Sequence, residues 1–292
     1  MEVVFQQFIN GLSIAAIVAL MAMGVTLIFG LTGLVMFAHG ELLMIGGFVT
    51  WLISYEVGAG FWVGIVIALL AVGLIGFLLE RGLFRFTFNS PINGFIVSLG
   101  LIIVLQHLVV EVSPVGASIV SVQTPIDHTF DISGVKIPAM RVLTVIITIV
   151  LVLAMMMLIY RSGRGRALRA SAIDRDTAAL MGIPVRRYIM IVFLLGTAIA
   201  GLGGALMIGL FPIDPYIGSR FVIKAFAVAL VGGLGNPVGA VLAAVFLGLA
   251  EAFGTQYFKP EWSESYAFIL MIIVLLVRPR GLLTGLQGPP AR

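Results

Sequence analysis

The sequence contains no cysteine, so neither a disulfide framework nor a thiolate metal site can hold it together. Its three histidines, His39, His107 and His128, are scattered and make no metal site. Charge is the more telling shortage. Asp, Glu, Lys and Arg make up 10% of the 292 residues, against roughly a quarter in a soluble domain. The chain is 61% hydrophobic with a mean hydropathy of +1.18. It lacks the polar side chains to clothe a water-soluble surface, whereas in a bilayer apolar side chains can face lipid. The glycine-rich stretch VGGLGNPVG (231–239) lacks the Gly-Lys-Ser/Thr ending that holds a nucleotide phosphate. No cofactor is therefore expected on this chain. Ser13 and Ser98 sit in no glycine-flanked elbow with a placed histidine, which argues against an intramembrane protease. There is no heptad repeat, low-complexity tail or separable soluble domain. The N-terminus has no basic region ahead of its apolar stretch and is expected to belong to the mature fold.

What is present is apolar length. No Asp, Glu, Lys or Arg occurs between Val3 and Gly40, room for more than one span of about 20 residues. Spans are expected at about 8–30, 34–54, 61–79, 92–110, 142–160 and 188–211. An apolar block at 221–250 is interrupted by Gly232-Gly233-Leu234-Gly235-Asn236-Pro237, and a last span covers about 266–277. The expected fold is all-α and polytopic, with about eight transmembrane helices and one or two broken or re-entrant segments. Backbone freed at a break cannot face lipid. So 232–237 is either a tight turn at a surface or a discontinuous helix packed inside protein, and Gly232, Gly233 and Gly235 are candidate lining for a solute path.

Charge placement orients the chain. Residues 161–187 hold Arg161, Arg164, Arg166, Arg169, Arg175, Arg186 and Arg187 against Asp174 and Asp176. Arg81 and Arg85 follow the third span, and Arg278 and Arg280 close the last. The positive-inside rule makes all three sites cytoplasmic. The stretch 113–141, with Asp127, Asp131, Lys136 and Arg141 and prolines at 114, 125 and 138, then reads as a compact external loop. These assignments agree only if the N-terminus is outside or an early segment is re-entrant.

The basic loop is far longer than a helix hairpin needs. Its alanines, with Leu168 and Leu180, favour helix, and Gly182 and Pro184 end it in the order of a C-terminal stop. One short helix from about Arg166 to Gly182 is expected, either an anchor carrying topogenic arginines or a segment that docks in a partner's groove. His39 and Glu41 lie within apolar sequence, where an ionisable side chain is costly. They either line a solute path or gate, or serve structure, Glu41 bonding a broken helix end and His39 sitting at the surface. Two residues apart, they would not face each other on one helix. Lys224 is expected to snorkel to the interface. Glu251, His107 and His128 are expected to be solvated or locally hydrogen-bonded.

The basic loop also resembles the cytoplasmic coupling segment of bacterial ABC importer permeases of the branched-chain amino-acid type. The matching residues are Arg166-Ala167, Asp174, Ala178 and Gly182-Ile183. The resemblance extends over nearly the whole chain. NGLSIAAIVALMAMGVTLIFG and FAHGEL match the family's opening, with Asn10, Gly11, Gly30, His39, Gly40 and Glu41 in place; DPYIGSRFVIKAFAVALVGGLGNPVGA and VRPRGLL match its C-terminal signature and ending. It implies one permease domain over 1–292, with 161–187 as the coupling loop in the bacterial inner membrane. Arg166, Ala167, Ala170, Asp174, Ala178, Gly182 and Ile183 would couple to the ATPase. The implied partners are a second permease chain, two cytoplasmic ATPase subunits that bind the ATP, and an external solute-binding protein. The implied solute is a branched-chain or other hydrophobic amino acid, with urea, short amides and aromatic acids as alternatives. A stand-alone secondary transporter is the rival class; it would show internal repeats or paired acids for proton coupling, and neither is evident.

Overall fold

The computed structural model describes residues 2–88, 90–123, 126, 128–132, 135–257, 262–278 and 281. Arg280, Asp127 and Pro125 lie outside them. The helices are α1 (Glu2–Thr32), α2 (His39–Trp51), α3 (Phe61–Gly82), α4 (Pro91–Val112), α5 (Ala139–Arg161), α6 (Gly163–Ile173), α7 (Arg175–Leu180), α8 (Val185–Met207), α9 (Ile217–Gly232), α10 (Pro237–Tyr257) and α11 (Ser263–Val277). A hairpin of β1 (Thr129–Ile132) and antiparallel β2 (Val135–Pro138) precedes α5, with Asp131 opposite Lys136.

Six helices among the described residues are long and apolar enough to cross a membrane: α1, α3 with the 3-10 turn after it, α4, α5, α8 and α10. The all-α polytopic class holds; the count of about eight transmembrane helices, one or two of them broken or re-entrant, is not confirmed, six described helices being long enough to span. The second expected span begins at His39, five residues later than 34, and α2 has 13 residues before a π-helical turn at Leu52–Glu56. The block at 221–250 divides into the 16-residue α9 and the 21-residue α10. At about 1.5 Å per residue, α2, α9 and the 15-residue α11 each fall short of a roughly 30 Å hydrocarbon core. Apolarity alone could not show this, because buried and lipid-facing apolar residues look alike in sequence.

Burial separates the helices. Helix α1 is apolar all round and buried nearly throughout from Ala15 to Ile28, as a central helix must be. Helices α3, α4 and α5 are mostly exposed and supply the lipid-facing rim. Small residues let the central helices touch through their backbones. A methyl group on Gly204 of α8 would stand 1.8 Å from the Leu43 carbonyl oxygen of α2, and one on Gly46 would stand 2.1 Å from the Gly201 carbonyl oxygen.

The bundle has two distinct ends. Arg175 of α7 donates from Nε to the Leu31 carbonyl at the end of α1 (2.9 Å). A methyl on Gly30 would lie 3.1 Å from the Gly235 Cα, and one on Gly281 2.8 Å from the Gly233 nitrogen. The arginine-rich segment, the α9–α10 turn and the chain after α11 therefore share one end. At the other, Gln7 donates to Gln256 (2.8 Å) and Val120 bridges Ile213. The start of α1 is on this hairpin side, opposite the arginine-rich end.

Candidate functional site

Between α1 and α2 the chain breaks at 33–38, and side chains take up two of the N–H groups freed there. The Thr32 hydroxyl accepts from the Leu34 N–H (3.2 Å), and the Ser98 hydroxyl of α4 accepts from the Ala38 N–H (2.9 Å). Phe37 fills the gap, stacked on Phe226 of α9 at 4.7 Å and edge-on to Phe95 of α4 at 5.6 Å. Ser98 thus has a structural role, and Ser13 donates to its own helix at Ile9 (2.8 Å).

The break aims the start of α2 at the start of α9. A methyl on Gly40 would stand 2.1 Å from the Gly218 carbonyl oxygen, and one on Gly218 2.5 Å from the Gly40 carbonyl oxygen. Into this meeting of two helix N-termini comes Glu41, fully buried. Its Oε1 accepts from Gln106 Nε2 of α4 (3.0 Å) and from Ser219 Oγ of α9 (2.9 Å). The Gln106 amide also lies 3.0 Å from Ser219 Oγ. The arrangement joins three helices around one carboxyl group. The N-terminal ends of α2 and α9 favour negative charge there, and the partners offset part of the cost of burial. Oε2 has no hydrogen-bond partner among the described residues. Glu41 therefore turns inward, as an intramembrane acid must. Glu41→Gln, which keeps shape and an acceptor, should be tolerated. Glu41→Leu removes the acceptor that both donors share, leaving the Ser219 hydroxyl unpaired and Gln106 with Ser219 alone, at about 1–3 kcal/mol, and should lower the unfolding midpoint and uptake together. Equal behaviour of the two variants in thermal unfolding and uptake would mean the carboxyl group has no polar role.

The other expected lining residues lie elsewhere. His39 is not at the surface: it is fully buried, and neither ring nitrogen has a partner among the described residues. Its ring occupies space left by Gly24, where a methyl would stand 2.5 Å from Nε2. As expected from the spacing, it does not meet Glu41. Gly232, Gly233 and Gly235 are at the far end of α9, about 24 Å along a 16-residue helix. Gly233 and Gly235 have φ of 98° and 82°, values L side chains resist. The Asn236 side chain caps α10 by accepting from the Val238 and Gly239 N–H groups (3.1 Å each). This break is a turn at the arginine-rich end, so His39, Glu41 and the glycines are not one site.

A second polar pair lies on α9. Lys224 does not snorkel; it is buried and donates to Glu251 Oε1 of α10 at 2.6 Å, and Glu251 is correspondingly neither solvated nor locally bonded. Ser219 and Lys224 both line a cavity of about 140 Å³ with Arg220, Ile223 and Phe268, so the two polar clusters flank one opening. Gln106 and Ser219 were missed by sequence reasoning. A glutamine within an expected span was a signal; Ser219 gave none, since its role exists only where α2 and α9 meet. His107 and His128 are exposed.

The segment expected to couple to a partner forms two helices, α6 and α7, rather than one. Asp174 interrupts them in extended conformation and caps α7, accepting from the Asp176 and Thr177 N–H groups (3.0 Å each) and the Thr177 hydroxyl (2.6 Å). The Thr177 side-chain bond, then its backbone bond, hold the Asp174 carboxyl below the usual carboxylate range. The cap is therefore ionised at neutral pH and is lost only as pH falls through that lowered value. Gly182 takes φ 81° and turns the chain into α8. Two arginines fasten the segment to its own chain: Arg169 donates to the Ile159 carbonyl and stacks over Tyr160, and Arg175 reaches Leu31. Ala178 packs inward, 4% exposed, whereas Ile173, Leu180 and Met181 are 65%, 87% and 78% exposed. Arg166 is exposed, Ala167, Ala170 and Ile183 half-buried. The methyl group expected to meet a partner's groove is thus turned into the chain, and the outward face belongs to larger apolar side chains.

Residues 7–275 match the family described as branched-chain amino acid transport system / permease component. The chain is 36% identical to the high-affinity branched-chain amino acid transport system permease protein LivH of Escherichia coli K12, over 95% of this chain and 94% of that protein. It is 26% identical to LivM of the same organism, over 93% of this chain and 68% of LivM. Among solved structures, PsaBC from Streptococcus pneumoniae in complex with Fab is similar at a TM-score of 0.52 and 16% identity, over 93% of this chain and 91% of that one, a likeness of fold.

Proposed function

The chain belongs to the branched-chain amino acid transport system permease family, and on that premise we propose that it is the membrane-spanning subunit of an ATP-driven importer of branched-chain or other hydrophobic amino acids in a bacterial inner membrane. A second permease chain completes the pathway, an external binding protein delivers the solute at the hairpin end, and two ATPase subunits bind ATP at the arginine-rich end. The observation that carries the reading is the α6–α7 segment. It presents Ile173, Leu180 and Met181 outward while Arg175 ties it to the end of α1. Movement imposed on α7 reaches the 33–38 break through α1, and the break sets the position of α2 and Glu41. Such a chain supplies the physical element that coupling between two sites requires. The clusters of Glu41 with Gln106 and Ser219, and of Lys224 with Glu251, border the solute path beside α9.

The test is uptake of radiolabelled leucine by proteoliposomes holding this chain with its ATPase, second permease and binding-protein partners. Uptake should require ATP and binding protein, and urea, short amides and aromatic acids should not compete. Uptake without ATP would replace this reading with a secondary transporter. Orientation is checked separately in cells. A cysteine at Met181 should be shielded from an impermeant thiol reagent and one at Ile119, 70% exposed near the hairpin, should be labelled; the reverse pattern would invert the topology.

A further inference from the structure

Two cavities lie one beyond the other along the seam between α1 and α5, and their chemistry differs. The one at the hairpin end has a volume of about 140 Å³ and is lined by Gln6, Ile9, Asn10, Lys136, Ile137, Pro138 and Arg141. It brings an ammonium, a guanidinium and two side-chain amides together, and no carboxylate lines it among the described residues. Asp131, the register partner of Lys136 in the hairpin, is outside the lining, and neither Lys136 nor Arg141 forms an ion pair among the described residues. Arg141 is half-buried, and with no described acid paired to it the mouth is suited to an anion. The second cavity, about 210 Å³, begins one turn further into the bundle on the same two helices. Leu12, Ala15 and Ala19 of α1 face Val145 and Ile149 of α5 across it, Val245 of α10 closes it, and its lining is almost wholly apolar.

We propose that this seam binds an anionic phospholipid from the leaflet at the hairpin end, its phosphate held by Lys136 and Arg141 and one acyl chain lying in the alanine-floored groove between α1 and α5. The physical reasons are continuity and depth. From Asn10 to Ala19 is nine residues of α1, or about 13 Å, the reach from the cationic mouth to the far end of the apolar slot on the same helix. The start of α1 around the mouth exposes Val3, Val4, Phe5 and Phe8, so this rim offers an apolar surface to lipid. A soluble anion would use the mouth and leave the slot empty; a zwitterionic lipid would use the slot and leave the net positive charge unanswered.

The experiment is native mass spectrometry of the purified full-length chain, equilibrated with phosphatidylglycerol or phosphatidylcholine. One phosphatidylglycerol should be retained per chain and phosphatidylcholine should not. Lys136→Gln with Arg141→Gln should weaken retention about thirty-fold, the factor that two cations at about 1 kcal/mol each supply. Lys136→Arg with Arg141→Lys keeps the charge and should restore it, separating charge loss from misfolding. Ile149→Trp, which fills the slot from an exposed position, should weaken retention with both cations in place. Equal retention of the two lipids, or undiminished retention in the glutamine variant, would overturn the proposal. Displacement of the lipid by millimolar inorganic phosphate, or by an acidic peptide, would overturn it equally by showing that the mouth takes a free anion or a protein carboxylate without an acyl chain.

Discussion

Replacing Lys224 by methionine should destabilise the folded chain by about 3–5 kcal/mol, the cost of leaving one member of a buried ion pair without the other. Lys224 and Glu251 have side chains 11% and 9% exposed and meet at 2.6 Å. Glu251 Oε2 has no hydrogen bond among the described residues, so Lys224 is the main compensation for that carboxylate. The double variant Lys224→Met with Glu251→Met removes both charges and substitutes unbranched apolar side chains. It should recover most of the loss, because desolvating two charges offsets much of their attraction. The measurement is a thermal or denaturant midpoint for the two single variants and the double. Recovery in the double establishes a pairwise coupling; if the double were as unstable as the sum of the singles, the two residues would act independently. Uptake gives a second readout. A stable double variant that no longer transports would place the charges in the solute path rather than only in the frame of α9 and α10.

Changing Leu180 and Met181 together to aspartate should abolish uptake while leaving the permease inserted and stable. These side chains are 87% and 78% exposed at the end of α7, next to the Gly182 turn, and open to a partner. An apolar side chain that anchors an interface costs about 2 kcal/mol or more when lost. Two such losses weaken binding by a factor of about a thousand, enough to empty the interface at ordinary concentrations. Ala178→Arg tests something different, since Ala178 is 4% exposed: the added side chain would push α7 off α8 and disturb folding before any partner is met. The decisive comparison is co-purification of the ATPase subunits with wild type and with the aspartate pair, read beside membrane insertion. Full co-purification with normal uptake would reduce the segment to a topological anchor.

The membrane class, the arginine-rich end and the break before Pro237 were legible in the sequence, because each rests on local composition. Scarce charge leaves no way to cover a soluble surface, seven arginines in 161–187 would cost about 17–25 kcal/mol at the bilayer centre, and glycines with proline end helices wherever they stand. The Gly182-Pro184 stop was legible for the same reason, and Asp174 was recognisable as a residue able to cap, although its interruption of one expected helix into α6 and α7 was not.

Tertiary structure alone decided the rest. Which apolar residues face lipid and which face protein depends on neighbours, so α1 and α5 read alike in sequence and differ in burial. Glu41 was visible as a costly charge, but its partners, Gln106 and Ser219, are 65 and 178 residues away in the chain. The Lys224–Glu251 pair spans 27 residues and two helices, and no local pattern distinguishes a lysine that snorkels from one that turns inward to an acid. Short-range propensity sets where helices start and stop; the energy of a buried charge is set by whatever the fold brings within 3 Å of it, and the α2–α9 crossing that does so for Glu41 exists only once the whole bundle is assembled.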